Sequence, residues 1–344
     1  MRVLSVRPAD PAAIEEAAAR LARGELVAFP TETVYGLGAD ASSGPAVAAI
    51  YRVKGRPADH PLIVHVADAG QAQWWGELGE QGLALAQAFW PGPLTLIVRR
   101  RPEAPGYACG GEPTVGLRCP AHPVALALLQ AFARLGGHGV AAPSANRFGR
   151  VSPTRAAHVA ADLEAHAAGA LSLVLDGGAC TVGLESTIVD LSRGEPVLMR
   201  PGGVPADRIE RALGCRLRPR DAQAPRASGT LAAHYAPRTP VELVDGDALA
   251  ARVADLAGEG RRAAAWSRCR PGGSGPAHWE RAEDDPVLFA RDLYDGLRRL
   301  DALGVDRILV ERVPDGPAWE AVRDRLARAA ATFEGGADSP ASRG

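Results

Sequence analysis

The chain of 344 residues is 47% hydrophobic, which is enough to bury at least one large core, and its length favours two domains over one. Its formal net charge is −1 at pH 7, divided as about +2 over residues 1–220 and about −3 over the remainder. This composition excludes a disordered chain, and it argues against a protein that holds RNA mainly by neutralising phosphates, since each phosphate contact requires a Lys or Arg.

The sequence shows no sign of a membrane segment or a resident metal site. No stretch of about 18 or more apolar residues occurs, and the N-terminal sequence MRVLSVRPADP lacks the charged-then-apolar layout of a signal peptide. The five cysteines are never spaced as C-x-x-C, and the eight histidines form no H-x-x-x-H pattern. We therefore expect a cytoplasmic protein with reduced cysteines, in which any metal ion arrives with a substrate.

Helix and strand patterns are interspersed over the first 213 residues. Helices are predicted at residues 11–23, 45–53, 80–89, 122–135, 154–167 and 205–213. Strands are predicted at residues 25–30, 61–66, 94–100, 115–120, 139–144, 171–177, 186–192 and 196–202. Because the strands outnumber those of a simple alternating β-α unit, we expect a mixed α/β (α+β) fold, a twisted mixed sheet with flanking helices.

A linker and a second domain are predicted after residue 213. Residues 214–240 are rich in Pro, Arg and Ala and follow neither hydrophobic period, which indicates an interdomain linker. From residue 241 the pattern alternates between strand and helix, which predicts a smaller Rossmann-like α/β domain over 241–332 without a G-x-G-x-x-G sequence. Residues 333–344 are expected to form a flexible tail.

Lys54 is unusual in the composition of the chain. Of the 39 basic residues, 38 are Arg, and Lys54 is the one lysine. An ammonium is a compact point charge and a guanidinium a wide planar fork, so a tight phosphate pocket is a place where Arg would not substitute for Lys. Lys54 and Arg56 lie two residues apart, and in an extended chain both would project to one side, which suits a triphosphate. A solvated basic loop and a chance lysine are the alternatives.

Three further segments combine glycine with hydroxyl or amide side chains near predicted strand ends. PTETVYGLGAD (30–40) suits a small polar ligand, and GVAAPSANRFGR (139–150) suits an anion-binding concavity. DGGACTVGLESTIVDL (176–191) places hydroxyls at a strand start, where they can bind a carboxylate or phosphate. An ordinary turn, a Ser/Asn turn and a β-bulge or hairpin are the respective structural alternatives.

Arg118 and Arg200 each end an otherwise apolar predicted strand. A charge in that position is costly unless it has a partner. Each side chain therefore either extends to the surface along its aliphatic part, or pairs with a carboxylate or a phosphate.

Together these segments resemble the YrdC-type domain, and with its C-terminal extension the chain is similar to the two-domain threonylcarbamoyl-AMP synthases. The matching motifs are PTETVYGLG, the K-x-R pair Lys54 and Arg56, PLIVH, the S-x-N pair Ser144 and Asn146, GLESTIVD, MRPGG and the HYAP of the predicted linker. The resemblance covers residues 10–237 through motifs and is looser beyond. One departure is the Ala-Ser-Gly at residues 227–229, where Ser-Pro-Gly is common in the family.

The resemblance implies a nucleotidyltransferase, an L-threonylcarbamoyladenylate synthase that joins L-threonine, bicarbonate or CO2 and ATP into threonylcarbamoyl-AMP and pyrophosphate for tRNA modification. It implies Mg²⁺ with the ATP and downstream tRNA threonylcarbamoyl-transfer proteins as partners. It also implies a YrdC-like catalytic domain over residues 1–213. The length of the predicted linker, residues 214–240, and its HYAP piece suggest separately that it folds over the pocket as a lid.

The resemblance also implies the residues of the site. Those expected to hold ATP are Lys54, Arg56, Thr114, Ser144, Asn146, Arg200 and Tyr235, and Lys54 and Arg56 are expected to be catalytic. Those expected to hold threonine are Thr31, Tyr35, His65, Arg118 and Ser186.

Two other classes of function are weighed against this one. A double-stranded RNA or tRNA binding module is disfavoured by the near-neutral charge and the absence of interleaved aromatic residues, so contact with nucleic acid is expected to be weak at most. A carbamoyl-transfer enzyme of the kind used in hydrogenase maturation would call for zinc-type cysteine pairs and further domains, which this sequence does not show.

Overall fold

The computed structural model describes residues 4–334 except residues 168, 230–233 and 274. The chain divides into two compact units, one of Met1–Phe148 with Ser152–Thr230 and one of Gly149–Val151 with Leu231–Gly344. The predicted linker, residues 214–240, is thus shared between the two units. Most of the predicted flexible tail, residues 335–344, lies outside the described residues.

The first unit contains a sheet of eleven strands in its described residues. They are β1 (Ser5–Pro8), β2 (Leu26–Phe29), β3 (Gly36–Asp40), β4 (Ile63–His65), β5 (Leu94–Arg99), β6 (Thr114–Arg118), β7 (Val140–Ala141), β8 (Leu171–Asp176), β9 (Thr187–Asp190), β10 (Val197–Arg200) and β11 (Arg218–Pro219). Their order is β1-β8-β2-β3-β7-β4-β6-β5-β9-β10-β11. The pairs β2 with β8, β4 with β6 and β5 with β9 are parallel, whereas β2 with β3 and β5 with β6 are antiparallel. The predicted mixed sheet is confirmed.

Seven helices flank this sheet in the described part of the first unit. They are α1 (Pro11–Ala22), α2 (Gly44–Lys54), α3 (Ala69–Trp75), α4 (Gly79–Phe89), α5 (Pro123–Arg134), α6 (Ala156–Leu163) and α7 (Ala206–Leu213). Helix α1 begins with proline at its first position, and the Asp10 carboxylate accepts a hydrogen bond of 2.7 Å from the Ala13 amide. Helix α3 was not predicted, because its seven residues are too few to show a helical period.

The sheet is buried on both faces. In β2, Val27 and Phe29 pack against apolar residues of α1 and α5, whereas Leu26 and Ala28 join the larger core cluster on the other face. Successive strand residues point to opposite faces, which explains why all four are apolar. Burial of each large apolar side chain contributes about 1.5–3 kcal/mol relative to exposure.

Strand β3 was not predicted, because its glycine-rich sequence GLGAD shows no alternation of polar and apolar residues. The glycines are required by close packing. A Cβ atom at Gly38 would lie 2.7 Å from the Phe29 ring and 2.9 Å from a Val140 methyl group. Strand β3 therefore lies against side chains of β2 and β7 so closely that a larger residue at Gly38 would prevent the packing.

The second unit is a smaller α/β domain. Its described strands are β12 (Val241–Val244), β13 (Ala263–Ser267), β14 (His278–Arg281) and β15 (Arg307–Glu311), and its helices are α8 (Leu249–Gly258), α9 (Pro286–Asp301) and α10 (Glu320–Glu334), with a 3₁₀ turn at Pro317–Trp319. The strands are all parallel in the order β12-β15-β13-β14, which confirms the predicted α/β class. No helix in the described residues of either unit combines the length and apolar character needed to cross a bilayer.

Candidate functional site

Polar side chains share one face of five neighbouring strands in the first unit. His65 of β4 lies opposite Arg118 of β6. Ile188 of β9 pairs with both Thr95 of β5 and Arg200 of β10. Residues in register on neighbouring strands project to the same side of a sheet. The strands therefore gather side chains from widely separated parts of the sequence.

A cavity lies along the face of these strands. Its lining combines strand residues with a later segment of the chain: Pro61, Leu62, Ile63, Thr95, Ile97, Thr114, Gly116, Ile188, Arg226, Ala227 and Ser228. Within each strand the lining residues alternate, as in Thr95 with Ile97 and Thr114 with Gly116. Thr114, predicted to contact ATP, is thereby placed in a cavity with both apolar and hydroxyl walls.

Arg118 is buried and paired. It is 4% exposed, its Nη2 lies 2.7 Å from Glu32 Oε1, and its Nη1 donates to the Thr33 hydroxyl at 2.9 Å. The close Nη2–Oε1 pair does not have the alignment of a hydrogen bond, so it is an ion pair held by charge. The alternative of a surface side chain is wrong for Arg118.

Thr31 shapes the turn that precedes β3. Its hydroxyl donates to the Val34 carbonyl at 2.7 Å, accepts from the Val34 amide at 3.2 Å, and lies 2.8 Å from the Thr33 hydroxyl. These bonds form a side-chain turn and fix Thr33, the partner of Arg118. Residues 31–34 thus form the ordinary turn that was the structural alternative for this segment, and they also contribute to the site.

His65 is buried beside Arg118 and is neutral at pH 7. Burial and the nearby Arg118 charge lower its pKa to about 3. Its ring makes an edge contact with Phe29, with centroids 6.3 Å apart. A neutral imidazole leaves the positive charge here to Arg118.

Ser186 and Arg200 form a second buried group. Arg200 is 2% exposed and donates through Nη2 to the Ser186 carbonyl at 2.8 Å and through Nη1 to the Ser228 carbonyl at 2.8 Å. The Ser186 hydroxyl lies 2.7 Å from the Thr95 hydroxyl. A Cβ atom at Gly202 would lie 2.3 Å from the Thr187 amide nitrogen, so the MRPGG glycine allows the chain to pack here.

Lys54 ends helix α2 and binds a loop formed by residues 144–148. Its Nζ donates to the Ser144 and Asn146 carbonyls, each at 2.6 Å, and the Phe148 amide donates back to the Lys54 carbonyl at 2.9 Å. Burial, together with the charges of Arg56 and Arg147, lowers the Lys54 pKa well below its usual range. An ammonium has three donors, and these two carbonyls accept from two of them.

The expectation that Lys54 and Arg56 lie in extended chain is wrong. Helix α2 continues through Lys54, and Gly55 ends it in the left-handed conformation with φ of 63°. Arg56 instead donates to the Pro61 carbonyl at 2.9 Å and the Ser228 hydroxyl at 3.3 Å, and its guanidinium lies 5.7 Å from the centre of the Phe148 ring. Both side chains are buried, so the solvated-loop alternative is also wrong.

Tyr35 and Asn146 contact main-chain groups nearby. The Tyr35 hydroxyl donates to the Gly178 carbonyl at 2.8 Å, and burial together with Asp176 raises its pKa above the usual range. Asn146 donates through Nδ2 to the Arg147 carbonyl at 2.7 Å. The assignment of Tyr35 to threonine and of Asn146 to ATP stays a prediction.

Tyr235 belongs to the second unit, unlike the other predicted site residues. Its φ of 64° is left-handed, and its ring is buried against His234, Tyr294 and the Arg325 guanidinium, which lies 5.4 Å from its centroid. The backbone conformation is costly for a residue with a Cβ atom and is held here by packing. Its predicted contact with ATP stays a prediction.

Residues 224–229, here called the cover segment, lie over the cavity. Ala224 and Ala227 pack against a cluster of buried residues from the same sheet face, Ile97, Ile188, Val197 and Met199. Arg226 donates to Asp59 at 2.8 Å and to Glu112 at 2.7 Å. The predicted linker is thus not structureless. It also contains strand β11, which was not predicted because its two residues are exposed and too few to show a pattern.

Several residues of the site were not identified from the sequence. Glu32 lies inside the PTETVYGLG motif, and Thr95 lies in the predicted strand 94–100. Alternation in that strand was a usable signal, because Thr95 interrupts an apolar run on the face shared with Ile97. Ser228 gave no signal, because its contacts with Arg56 and Arg200 depend on folding of a distant segment.

Comparisons with known proteins match both parts of the chain. The family model described as telomere recombination, for Sua5, YciO and YrdC, matches residues 19–202, and that of the threonylcarbamoyl-AMP synthase C-terminal domain matches residues 204–331. The threonylcarbamoyl-AMP synthases of Pyrococcus abyssi and Bacillus subtilis are 40% and 41% identical to this chain, over 92% of it and 93% and 92% of their own lengths. The crystal structure of P. abyssi Sua5 complexed with L-threonine superimposes with a TM-score of 0.85 at 37% identity, covering 95% of this chain and 97% of that one.

The low pKa of His65 predicts that stability decreases in acid. In the unfolded chain His65 takes up a proton near its ordinary value of 6.5, whereas in the folded protein it stays neutral down to about 3. Stability is therefore full above about pH 6.5 and decreases as pH falls through that window, by about 2 kcal/mol between pH 7 and pH 5.

Urea unfolding of the wild type and His65→Gln at the two pH values measures this effect. Glutamine does not titrate, so the variant should lose about 2 kcal/mol less on acidification than the wild type does. Equal losses of unfolding free energy in the two proteins would show that folding does not lower the pKa of His65.

Proposed function

The chain belongs to the threonylcarbamoyl-AMP synthase family, and on that premise we propose that it joins L-threonine, bicarbonate and ATP into threonylcarbamoyl-AMP, with release of pyrophosphate. The observation that supports this most strongly is the set of buried cations on one region of the first unit, Lys54, Arg56, Arg118 and Arg200. Burial of so many cations suits a site whose ligands carry several negative charges.

Threonine would bind beside β4 and β6. Its carboxylate would pair with Arg118, and its hydroxyl would meet the hydroxyls of Thr31 and Ser186, next to the neutral ring of His65. The crystal structure of the P. abyssi relative contains L-threonine, which supports a threonine site in this chain. Tyr35, directly before β3, would contact threonine as well.

ATP would bind at the cation group and in the cavity. The third donor of Lys54, together with Arg56 and Arg200, would contact phosphate oxygens, and Ser144 and Asn146 would contribute from the loop. Thr114 lines the cavity, whose volume is about 20 Å³, so the cover segment would have to move to admit a nucleoside between its apolar and hydroxyl walls.

The reaction is nucleotidyl transfer. The amine of threonine first takes up CO2, or bicarbonate with loss of water, and gives a carbamate. The carbamate oxygen attacks the α-phosphorus of ATP, the bond from that phosphorus to the bridging oxygen of the β-phosphate breaks, and pyrophosphate leaves. Positioned cations offset the charge that develops on the phosphates, so no covalent enzyme intermediate is required. The buried thiol of Cys180 fits that mechanism, since burial raises its pKa to about 12 and keeps it protonated.

We propose that Mg²⁺ enters with ATP as part of the substrate. Mg²⁺ is usually bound through substrate phosphates with one or two carboxylates and several waters. Within the described residues no group of three or more His, Cys, Asp or Glu side chains is placed to hold a metal ion. The phosphate chain would supply the ligands. The product would pass to tRNA threonylcarbamoyl-transfer proteins.

Pyrophosphate release in the presence of ATP, Mg²⁺ and bicarbonate tests the proposed function. We expect release to depend on L-threonine and to be much slower with L-serine or L-valine, because the site offers both hydroxyl partners and apolar walls. Salt-dependent RNA binding without threonine-dependent pyrophosphate release would contradict the proposal and favour an RNA-binding module.

Replacement of Lys54 should impair the same reaction. Lys54→Ala removes a positioned charge and should lower turnover by about 100- to 1,000-fold. Lys54→Arg should also fail, because a planar guanidinium cannot place two donors on the Ser144 and Asn146 carbonyls in the same buried space. Arg52→Lys, on the exposed side of α2, is the matched control and should turn over normally. Near-normal turnover by Lys54→Arg would contradict this role of the ammonium.

We also propose that the predicted linker acts as a lid, through its cover segment. Arg226→Ala removes the contacts with Asp59 and Glu112 and should speed ATP dissociation or hydrolysis of the adenylate several-fold, with little loss of stability because these pairs are exposed. Arg218→Ala breaks an exposed pair with Glu195 in the same stretch of chain and serves as control. Unchanged ATP dissociation and adenylate lifetime in Arg226→Ala would rule out the lid.

A further inference from the structure

Glu32 is a buried carboxylate that the proposed mechanism does not use. It is 6% exposed, and neither of its carboxylate oxygens has a hydrogen-bond partner among the described residues. A carboxylate offers about four acceptor positions, and a buried one without hydrogen bonds is costly. The hydrogen-bonding capacity of Glu32 is therefore not used by any described residue.

The polar groups around Glu32 already have other partners. The Thr33 hydroxyl receives a hydrogen bond from Arg118, and the Thr31 hydroxyl donates to the Val34 carbonyl. The Glu32 main-chain carbonyl accepts from the Val182 amide at 2.7 Å, which fixes the backbone on which the side chain stands. The carboxylate is thus held in place with Arg118 as its charged partner, but without a hydrogen bond from the described residues.

Glu32 and Arg118 together present an anion and a cation whose closest atoms are 2.7 Å apart. The ligand class complementary to such a pair is a zwitterion with its two charges on one carbon atom, as in a free α-amino acid. We propose that Glu32 binds the α-ammonium group of the substrate amino acid while Arg118 binds its carboxylate. This assignment rests on the proposed function for its choice of L-threonine as the ligand.

The same contact allows an opposite interpretation, which the test must separate. Glu32 could instead compete with the ligand carboxylate for Arg118 and be displaced on binding. Removal of its charge would then strengthen threonine binding. If Glu32 binds the ammonium, removal of its charge weakens threonine binding but strengthens binding of a ligand that has only the carboxylate, because Arg118 is released.

The wild-type protein supplies the first measurement, by calorimetric titration with L-threonine and with 3-hydroxybutyrate, which lacks the amine. A hydrogen bond between charged groups is worth enough that 3-hydroxybutyrate should bind about 10- to 100-fold more weakly. Equal affinities would overturn the proposal without recourse to any variant.

Glu32→Gln supplies the second measurement. Its affinity for L-threonine should fall about 10- to 100-fold, and its affinity for 3-hydroxybutyrate should rise, so the preference for the amine disappears. If the role of Glu32 were merely structural, the variant would bind both ligands more weakly. Tighter binding of L-threonine by Glu32→Gln, or an unchanged ratio of the two affinities, would overturn the proposal.

Glu185→Gln is the matched control. Glu185 is also a buried carboxylate of the first unit, and it accepts a hydrogen bond of 2.6 Å from the Ser152 hydroxyl. The ratio of the two affinities should be unchanged in this variant. If the wild type prefers another amino acid to L-threonine, the proposed function is wrong, and the comparison of that amino acid with its deaminated analogue still tests Glu32.

Discussion

The ammonium of Lys54 holds together the two parts of the chain on which the cation group depends. It joins the end of α2 to the loop of residues 144–148 through two carbonyl oxygens at 2.6 Å, and the Phe148 amide closes the connection in the other direction. Gly55 then turns the chain so that Arg56 meets the Ser228 hydroxyl. A buried charge of this kind is tolerated because neutral oxygens surround it, and it fixes the local backbone.

Carbonyl oxygens are also the partners of the other site arginines. Arg56 donates to the Pro61 carbonyl, and Arg200 donates to those of Ser186 and Ser228. Carbonyl groups orient a guanidinium without cancelling its charge, whereas a carboxylate would neutralise it. Arg118 differs because the Glu32 carboxylate balances its charge. The site therefore divides into a part with a net positive charge, which suits phosphates, and a part in which the two charges cancel, which suits an amino acid.

The sequence was sufficient for most of the fold, because strands and helices with clear periods such as residues 94–100 and 122–135 form close to where they were predicted. It failed where tertiary contact replaces a local pattern, as in β3, where glycine is required by the Phe29 ring. The family motifs indicated Lys54 and Ser186, and the place of Arg118 at the end of an apolar strand indicated that residue. The contacts of Lys54 with the Ser144 and Asn146 carbonyls and the charge of Glu32 opposite Arg118 could not be predicted, since each depends on a partner far away in the chain.

The single lysine has a practical consequence for amine chemistry. Acylating reagents attack the unprotonated amine, and the lowered pKa of Lys54 makes that form easier to reach than in an exposed lysine, while burial denies access to it. The chain has no other ε-amine to react. The labelling rate at this one nitrogen would therefore report how often the surrounding loop opens, with the α-amino terminus as an internal reference for reagent activity.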